Sequence, residues 1–157
     1  MQRVTPFLWF DGQAEEAAQF YTSIFKDSKI KHVSRYGEGA PVPAGTVMTV
    51  SFLLFGQEFV ALNGGPQFKF SPAVSLLVRC ESQEEVDHYW DRLLDGGQAM
   101  ACGWLTDKYG LAWQIIPAVF MDFIQDKDQA KVNRVMQAMM QMVKLDIAAL
   151  RAAYDGK

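Results

Sequence analysis

The sequence predicts an α+β protein made of two similar halves and a helical C-terminus. Two amphipathic segments carry the prediction. The first, at about 13–25, places Ala17, Phe20, Tyr21, Ile24 and Phe25 on one stripe, and the second, at about 82–94, does the same with Val86, Tyr89, Trp90, Leu93 and Leu94. Both follow the i, i+3, i+4, i+7, i+8 spacing of a helix with one apolar face. Each residue of the second set stands 69 positions after its counterpart in the first, and Glu15-Glu16 map onto Glu84-Glu85 by the same interval. Each helix also follows a strand-like run and precedes others. Duplication accounts for this better than coincident spacing within one α+β domain.

The elements follow in order. Thr5 to Phe10 reads as a strand, and Asp11 as the cap or near-cap of the first helix. Lys29 to Tyr36, Thr46 to Phe55 and Glu58 to Leu62 are strand candidates, with Gly56-Gln57 as a tight hairpin turn between the last two. Gly37 to Gly45, with Pro41 and Pro43, is a loop, and Asn63 to Pro72 joins the halves. In the second half Ala73 to Arg79 is the leading strand. Ser82 is placed to cap the second helix, with Glu85 completing a capping box. Gly96-Gly97 ends that helix, and Gln98 to Leu105 and Leu111 to Ile116 are strands around a turn at Asp107 to Gly110. After Pro117 the pattern becomes helical. Asp126 or Asp128 caps a segment reaching about Val143, and Asp146 caps Ile147 to Tyr154. Each half thus reads as strand, helix, then two or three antiparallel strands. The expected divisions are 1–66, 67–117 and a C-terminal helical extension at 118–157, within one compact domain.

Composition narrows the function classes. Of 157 residues, half are hydrophobic and 21% charged, the balance of an ordered globular chain. No apolar run reaches the roughly 18 residues of a membrane helix, and the N-terminus lacks a secretory pattern. No membrane partner is expected. The formal charge of −3, without a basic block, argues against nucleic acid. Two cysteines, Cys80 and Cys102, exclude a disulfide framework and point to free thiols in a reducing, cytoplasmic compartment. Two histidines, His32 and His88, leave little for a mechanism built on imidazole ligands.

The segment Thr5-Pro6-Phe7-Leu8-Trp9-Phe10, followed by the helix with Glu15-Glu16 and Phe20-Tyr21, resembles the vicinal oxygen chelate superfamily, which includes glyoxalase I, extradiol dioxygenases and bleomycin-resistance proteins. The runs from Phe59 to Pro66 and from Cys102 to Pro117 are similar to its PhnB-like branch, members of which are often described as demethylubiquinone 3-methyltransferases. The second run is long and specific, and the resemblance covers about residues 3–117. It implies tandem βαβββ modules whose sheets form an open, barrel-like cleft, and it implies a homodimer.

Metal-dependent members hold a divalent ion with His and Glu from the first and last strand of each module. Carried over by position, the ligands fall at Pro6, or Thr5 if the register slips, at Ser75, at Ala61 with Asn63 on the same face, and at Gln114. None is His, Asp, Glu or Cys, and one neutral amide cannot hold a transition metal. His32 and His88 match no ligand position and read as structural. The expectation is no metal and no cofactor. Methyl transfer is equally unsupported, because the one Gly-x-Gly, Gly37-Glu38-Gly39, leads into a Pro-containing loop and not a helix.

The remaining candidates are aromatic and amide side chains. Phe7 and Trp9 alternate onto one strand face, and Trp104 is placed to line the cleft, whereas Trp90 and Trp113 read as core. Asn63 and Gln114 can orient a carbonyl or hydroxyl in an apolar pocket, or else bond a sheet edge. The ligand-binding set is therefore Phe7, Trp9, Asn63, Trp104 and Gln114. No catalytic residue is assigned. Cys102 reads as an inert thiol before a nucleophile, and Asp107 as a turn residue before a general base. Met136, Met139, Met140 and Val143 share a face that suits core or dimer packing, or a pliable lid over an apolar ligand. The leading function is metal-free binding of a small molecule in an aromatic cleft of a homodimer. The alternatives are an enzyme with an atypical site and a dimeric interaction protein.

Overall fold

Burial along the leading strand sets the layers. In β1 (Phe7–Phe10) Leu8 and Phe10 are buried while Phe7 is exposed, so one face is committed to a core. The computed structural model describes residues 1–157 and divides into two units, Met1–Phe70 and Ser71–Lys157.

The first unit adds α1 (Ala14–Ile24), β2 (Lys29–Arg35), β3 (Val47–Leu54) and β4 (Gln57–Asn63). The sheet order is β1-β4-β3-β2, with β1 parallel to β4 and the other pairs antiparallel. Buried Val50, Phe52, Leu54, Phe59 and Ala61 share the core with Leu8 and Phe10. Helix α1 supplies Ala14, Ala17 and Ala18, small enough for a close approach to the sheet, and Tyr21, which stacks on Phe52 at 6.1 Å. Full burial of each large side chain is worth about 1.5–3 kcal/mol. The hairpin turn falls one residue earlier than its sequence suggests. Leu54 pairs with Gln57, so Phe55 (φ 49°) and Gly56 (φ 76°) are its central pair, the left-handed pair a tight hairpin needs.

The second unit comprises β5 (Ser75–Cys80), α2 (Gln83–Leu94), β6 (Gln98–Ala99), β7 (Trp104–Thr106), β8 (Ala112–Pro117), α3 (Ala118–Phe123), α4 (Gln129–Met140) and α5 (Ile147–Asp155). Its order, β5-β8-β7-β6, with β5 parallel to β8, repeats the first sheet. The single strand expected over 98–105 is two strands. Met100 N–H donates to Trp104 O, and Cys102 (φ 63°) and Gly103 (φ 83°) turn the chain between them. That break supplies the fourth strand. Val78, Cys80, Leu105, Trp113 and Ile115 are buried, as are Val86, Tyr89, Trp90 and Leu93 of α2.

The repeat interval differs between helices and strands. Ala17, Tyr21 and Ile24 of α1 correspond to Val86, Trp90 and Leu93 of α2, all buried and 69 apart. In the strands, buried Leu8 and Phe10 correspond to buried Val78 and Cys80, 70 apart. The cause is a connection of three residues (11–13) before α1 and two (81–82) before α2. A one-residue change flips every strand side chain to the other face. Thr5 therefore corresponds to Ser75, and Val60, which pairs with Phe7, corresponds to Gln114, which pairs with Leu77. Ala61 faces the core and is fully buried.

Helix starts follow local chemistry. Ser82 caps α2 by accepting from Glu85 N–H, while the Glu85 carboxylate accepts from Glu81 N–H, one residue earlier than a strict capping box. Asp11 does not cap α1. Gln13 occupies the cap position without a side-chain bond, and Asn63 Oδ1 accepts from Ala14 N–H at 2.9 Å instead. Asp128 and Asp146 cap α4 and α5. Helix α4 stops at Met140, short of Val143, because the following chain is engaged otherwise. Met142 O and Val143 O accept from Cys102 N–H and Gly103 N–H at 2.9 and 2.8 Å. Ile116, Phe120, Phe123, Val135, Leu145 and Leu150 form the core that fastens α3–α5 to β8. Gln83 adds a latch from α2, donating to Leu145 O and accepting from Ile147 N–H. No helix is long and apolar enough to cross a membrane.

Candidate functional site

Strand pairing in the second sheet brings Gln114 beside Leu77 on one side and Trp104 on the other. Gln114 and Ile116 are two apart on β8 and so point the same way. With Cys102 they line a pocket of about 300 Å3, to which the helical extension contributes Phe120, Met121 and Ile124 with Met136 and Met139 of α4. This lies at the lower end of the roughly 300–1,000 Å3 typical of ligand sites. No lining residue carries a formal charge. Gln114 Nε2 donates to Ser75 Oγ at 2.9 Å, which fixes the amide and leaves Oε1 available as an acceptor.

Trp104 and Gln114 are thus brought together. Phe7, Trp9 and Asn63 belong to the first unit, each with its own surroundings. Phe7 is 61% exposed. Trp9 donates from Nε1 to Gly65 O at 2.9 Å and meets Phe68 edge-on at 5.0 Å. Its ring fills the space where a side chain on Gly64 would stand. The Asn63 amide is occupied by the fold, with Oδ1 on Ala14 N–H and Nδ2 donating to Val47 O at 3.0 Å. Tyr36 hydroxyl donates to the Asn63 carbonyl.

The two thiols differ. Cys80 is buried, and desolvation, followed by the charges of Glu85 and Glu81, pushes its thiol up to about 12. Cys102 is half-buried at the pocket. Asp107 is a buried turn anchor. Oδ1 accepts from Tyr109 N–H and Leu111 N–H, and Oδ2 accepts from Trp113 Nε1–H at 2.9 Å. This consumes the carboxylate and holds Trp113 in the core. His32 and His88 are both exposed.

The donor set does not fit the superfamily's divalent ion. Ser75 and Gln114 are neutral and bonded to each other, and Thr5 and Val60 occupy the corresponding places in the first unit. No three His, Cys, Asp or Glu side chains stand together where an ion could sit. Hydroxyl and amide oxygens without a charged partner are weak ligands for a transition metal. No step through a metal is derived.

Sequence reasoning missed Leu77, Ile116, Phe120, Met121 and Ile124 as pocket residues. Period-two alternation from Gln114 was enough to find Ile116. The roof of α3 and α4 had no comparable signal, because an apolar helical face says that something is covered but not what.

Comparison with known proteins follows the same lines. A family model described as 3-demethylubiquinone-9 3-methyltransferase matches residues 2–116. Among solved structures, a PhnB protein from Bacillus cereus is 43% identical with a TM-score of 0.69, over 74% of this chain and all of its own. A Pseudomonas aeruginosa protein is 20% identical with a TM-score of 0.62, over 74% of this chain and 98% of its own. A genomically encoded fosfomycin resistance protein from Listeria monocytogenes is 14% identical with a TM-score of 0.53, over 75% of this chain and 93% of its own. The last two speak to the fold alone. No curated protein matches the chain. The family match ends within β8, so α3–α5, and with them the pocket's roof, lie beyond it.

Proposed function

Because this chain belongs to the 3-demethylubiquinone-9 3-methyltransferase family, the PhnB-like branch of the vicinal oxygen chelate superfamily, we propose that it binds a small organic ligand without using a metal. The observation that carries this is the uncharged pocket over Trp104 and Gln114, whose amide is tied to Ser75 where a metal enzyme needs charged donors. A mostly apolar cavity with one fixed polar group is the usual form of such a site. Of the five candidate residues, Trp104 and Gln114 act in this pocket. Phe7, an exposed apolar side chain of the first unit, is the kind of residue a homodimer contact would cover. Cytoplasmic residence fits the unpaired thiols.

The family description names a methyl transfer. Gly37-Glu38-Gly39 lies in the connection from β2 to β3, with no helix following it of the kind a nucleotide-type cofactor uses. No methyl-transfer step is derived. Metal content by mass spectrometry, after equilibration with mixed divalent ions and desalting, tests the reading together with a ligand screen. Negligible metal with a saturable ligand supports it. Stoichiometric metal removed by Gln114→Ala rejects it in favour of an atypical enzyme.

A further inference from the structure

We infer that the pocket selects a neutral aromatic molecule bearing one hydrogen-bond donor, such as a phenolic hydroxyl or an amide N–H, and that the selection is made by Gln114 together with the cover formed by residues 118–140. This rests on the binding function proposed above and names its ligand class.

Three observations converge. First, no charged side chain lines the pocket. A ligand charge drawn into it would lose its hydration with no counter-ion to replace it. An ordinary carboxylate or ammonium ligand is therefore discriminated against. Second, the amide oxygen reads a donor. Gln114 Nε2 is held by Ser75 Oγ at 2.9 Å, which leaves Oε1 as the one strong acceptor among side chains that are otherwise apolar, donor-only (Trp104) or weakly polar (Cys102). A ligand that only accepts leaves that oxygen unpaired, which is where polar sites gain most of their discrimination. Third, the roof is soft and sulfur-rich. Met121, Met136 and Met139 line the same pocket as Trp104. Thioethers conform to flat rings and make favourable contacts at ring edges. These methionines all lie beyond the family match at 2–116. The selection for a flat ring therefore belongs to the extension, whereas the donor preference rests on Gln114 within the matched residues.

The test titrates the full-length protein at pH 7 with 2-naphthol, 2-methoxynaphthalene and 2-naphthoate, read by calorimetry and tryptophan fluorescence. The ring is constant, so only charge and donor vary. The expected order is naphthol tightest, methoxynaphthalene about threefold to tenfold weaker, and naphthoate weaker by at least about tenfold, a difference of roughly 1.4 kcal/mol or more. Gln114→Leu should erase the naphthol–methoxynaphthalene difference while naphthoate stays weak. Met136→Lys, which puts a cation in the half-buried roof, should bring naphthoate level with naphthol. Gln114→Met and Met139→Arg serve if either first variant fails to fold by circular dichroism.

Naphthoate binding as tightly as naphthol to the unaltered protein overturns the inference and leaves ligand binding standing. Binding indifferent to both positions overturns it too, by placing the ligand elsewhere. Naphthol binding that disappears as protein concentration rises shows a second copy filling the pocket, and also overturns it. Silence from all three probes and from a wider library of charged and neutral molecules removes the binding function itself.

Discussion

The two sheets have the same strand order and the same parallel closing pair, yet the faces away from their core helices are finished differently. In the first unit the chain after β4 does the work, with Gly64, Gly65 and Phe68 around Trp9. In the second unit a 40-residue helical extension stands over Trp104 and Gln114 and leaves a pocket. The amides differ in the same way. Asn63 is fully occupied in capping α1 and bonding Val47, whereas Gln114 keeps one oxygen free. A copied module therefore preserves its sheet and not its site. One free acceptor and one added roof separate a structural face from the face proposed to bind a ligand.

The largest effect should come from the anchor that the second unit alone possesses. Asp107→Ala removes an acceptor from Tyr109 N–H, Leu111 N–H and the buried Trp113 indole. Bonds to a charged group are worth about 1.5–3 kcal/mol each and are not additive, so a loss of roughly 4 kcal/mol is expected by urea denaturation. The matching change in the first unit, Asn63→Ala, removes two neutral-amide bonds and should cost about 2 kcal/mol. Equal losses would break the contrast between the two side-chain anchors. Asn63→Ala should also leave binding at Gln114 unchanged. A comparable loss of affinity in the two variants would mean that the first unit shapes the pocket after all.

The second contrast is between attached and intrinsic cover. Gln83 holds the chain between α4 and α5 through Leu145 O and Ile147 N–H. Gln83→Ala should cost about 1–2 kcal/mol and weaken ligand binding several-fold. The same change should speed hydrogen exchange across 142–150 and leave residues 1–70 protected as before. Loss of protection throughout the chain would show that the extension is not a separately opening element.

Much of this arrangement could be read from the residues. Helix periodicity located α1 and α2 within a residue or two, because a buried stripe over a sheet leaves little choice of phase. The topology came from the resemblance together with the repeat. Strand faces were harder. The helices repeat at 69 and the strands at 70, and only the connection lengths before α1 and α2 reveal it. A sequence aligned on its helices therefore mapped Ser75 to Pro6 and put Ala61, a core residue, in place of Val60. The cap of α1 was also beyond local reading, since its acceptor, Asn63, is 49 residues away. The pocket floor was half legible, through Trp104 and Gln114. The roof was not, because long-range docking of α3 and α4 depends on Ile116, Phe120 and Leu145 meeting in space.

The cysteines carry the comparison into titration. Cys80 faces the core and its folded value lies near 12, above the unfolded thiol's 9.0. The folded state therefore keeps a proton that the unfolded state releases. Stability from this group is complete below pH 9 and falls between pH 9 and about 12, with a slope approaching about 1.4 kcal/mol per pH unit. Cys80→Ala should flatten that alkaline limb and cost stability at pH 7 through the lost packing. In native protein a thiol reagent should label Cys102 at the pocket well before Cys80, and both in urea. Ligand in the pocket should slow only the faster site. Equal native labelling of the two would deny the difference in burial.

The smallest effect tests whether surface charge helps hold the extension. The Gln83 side-chain bond, and then Lys144, hold the Asp87 carboxyl below its ordinary 3.8. Lys144 Nζ lies 2.9 Å from Asp87 Oδ1, but both side chains are substantially exposed. Such a pair is screened by solvent and worth roughly 0.5 kcal/mol or less. Lys144→Ala should cost no more than that at pH 7. Because the folded carboxyl is depressed, the contribution exists above pH 3.8 and fades as pH falls through the lower folded value. Denaturation of the two proteins should therefore coincide at low pH and also in about 1 M salt. A gap that survives both conditions would mean that Lys144 acts through packing of its stem against α2, making the charge incidental to how the roof is held.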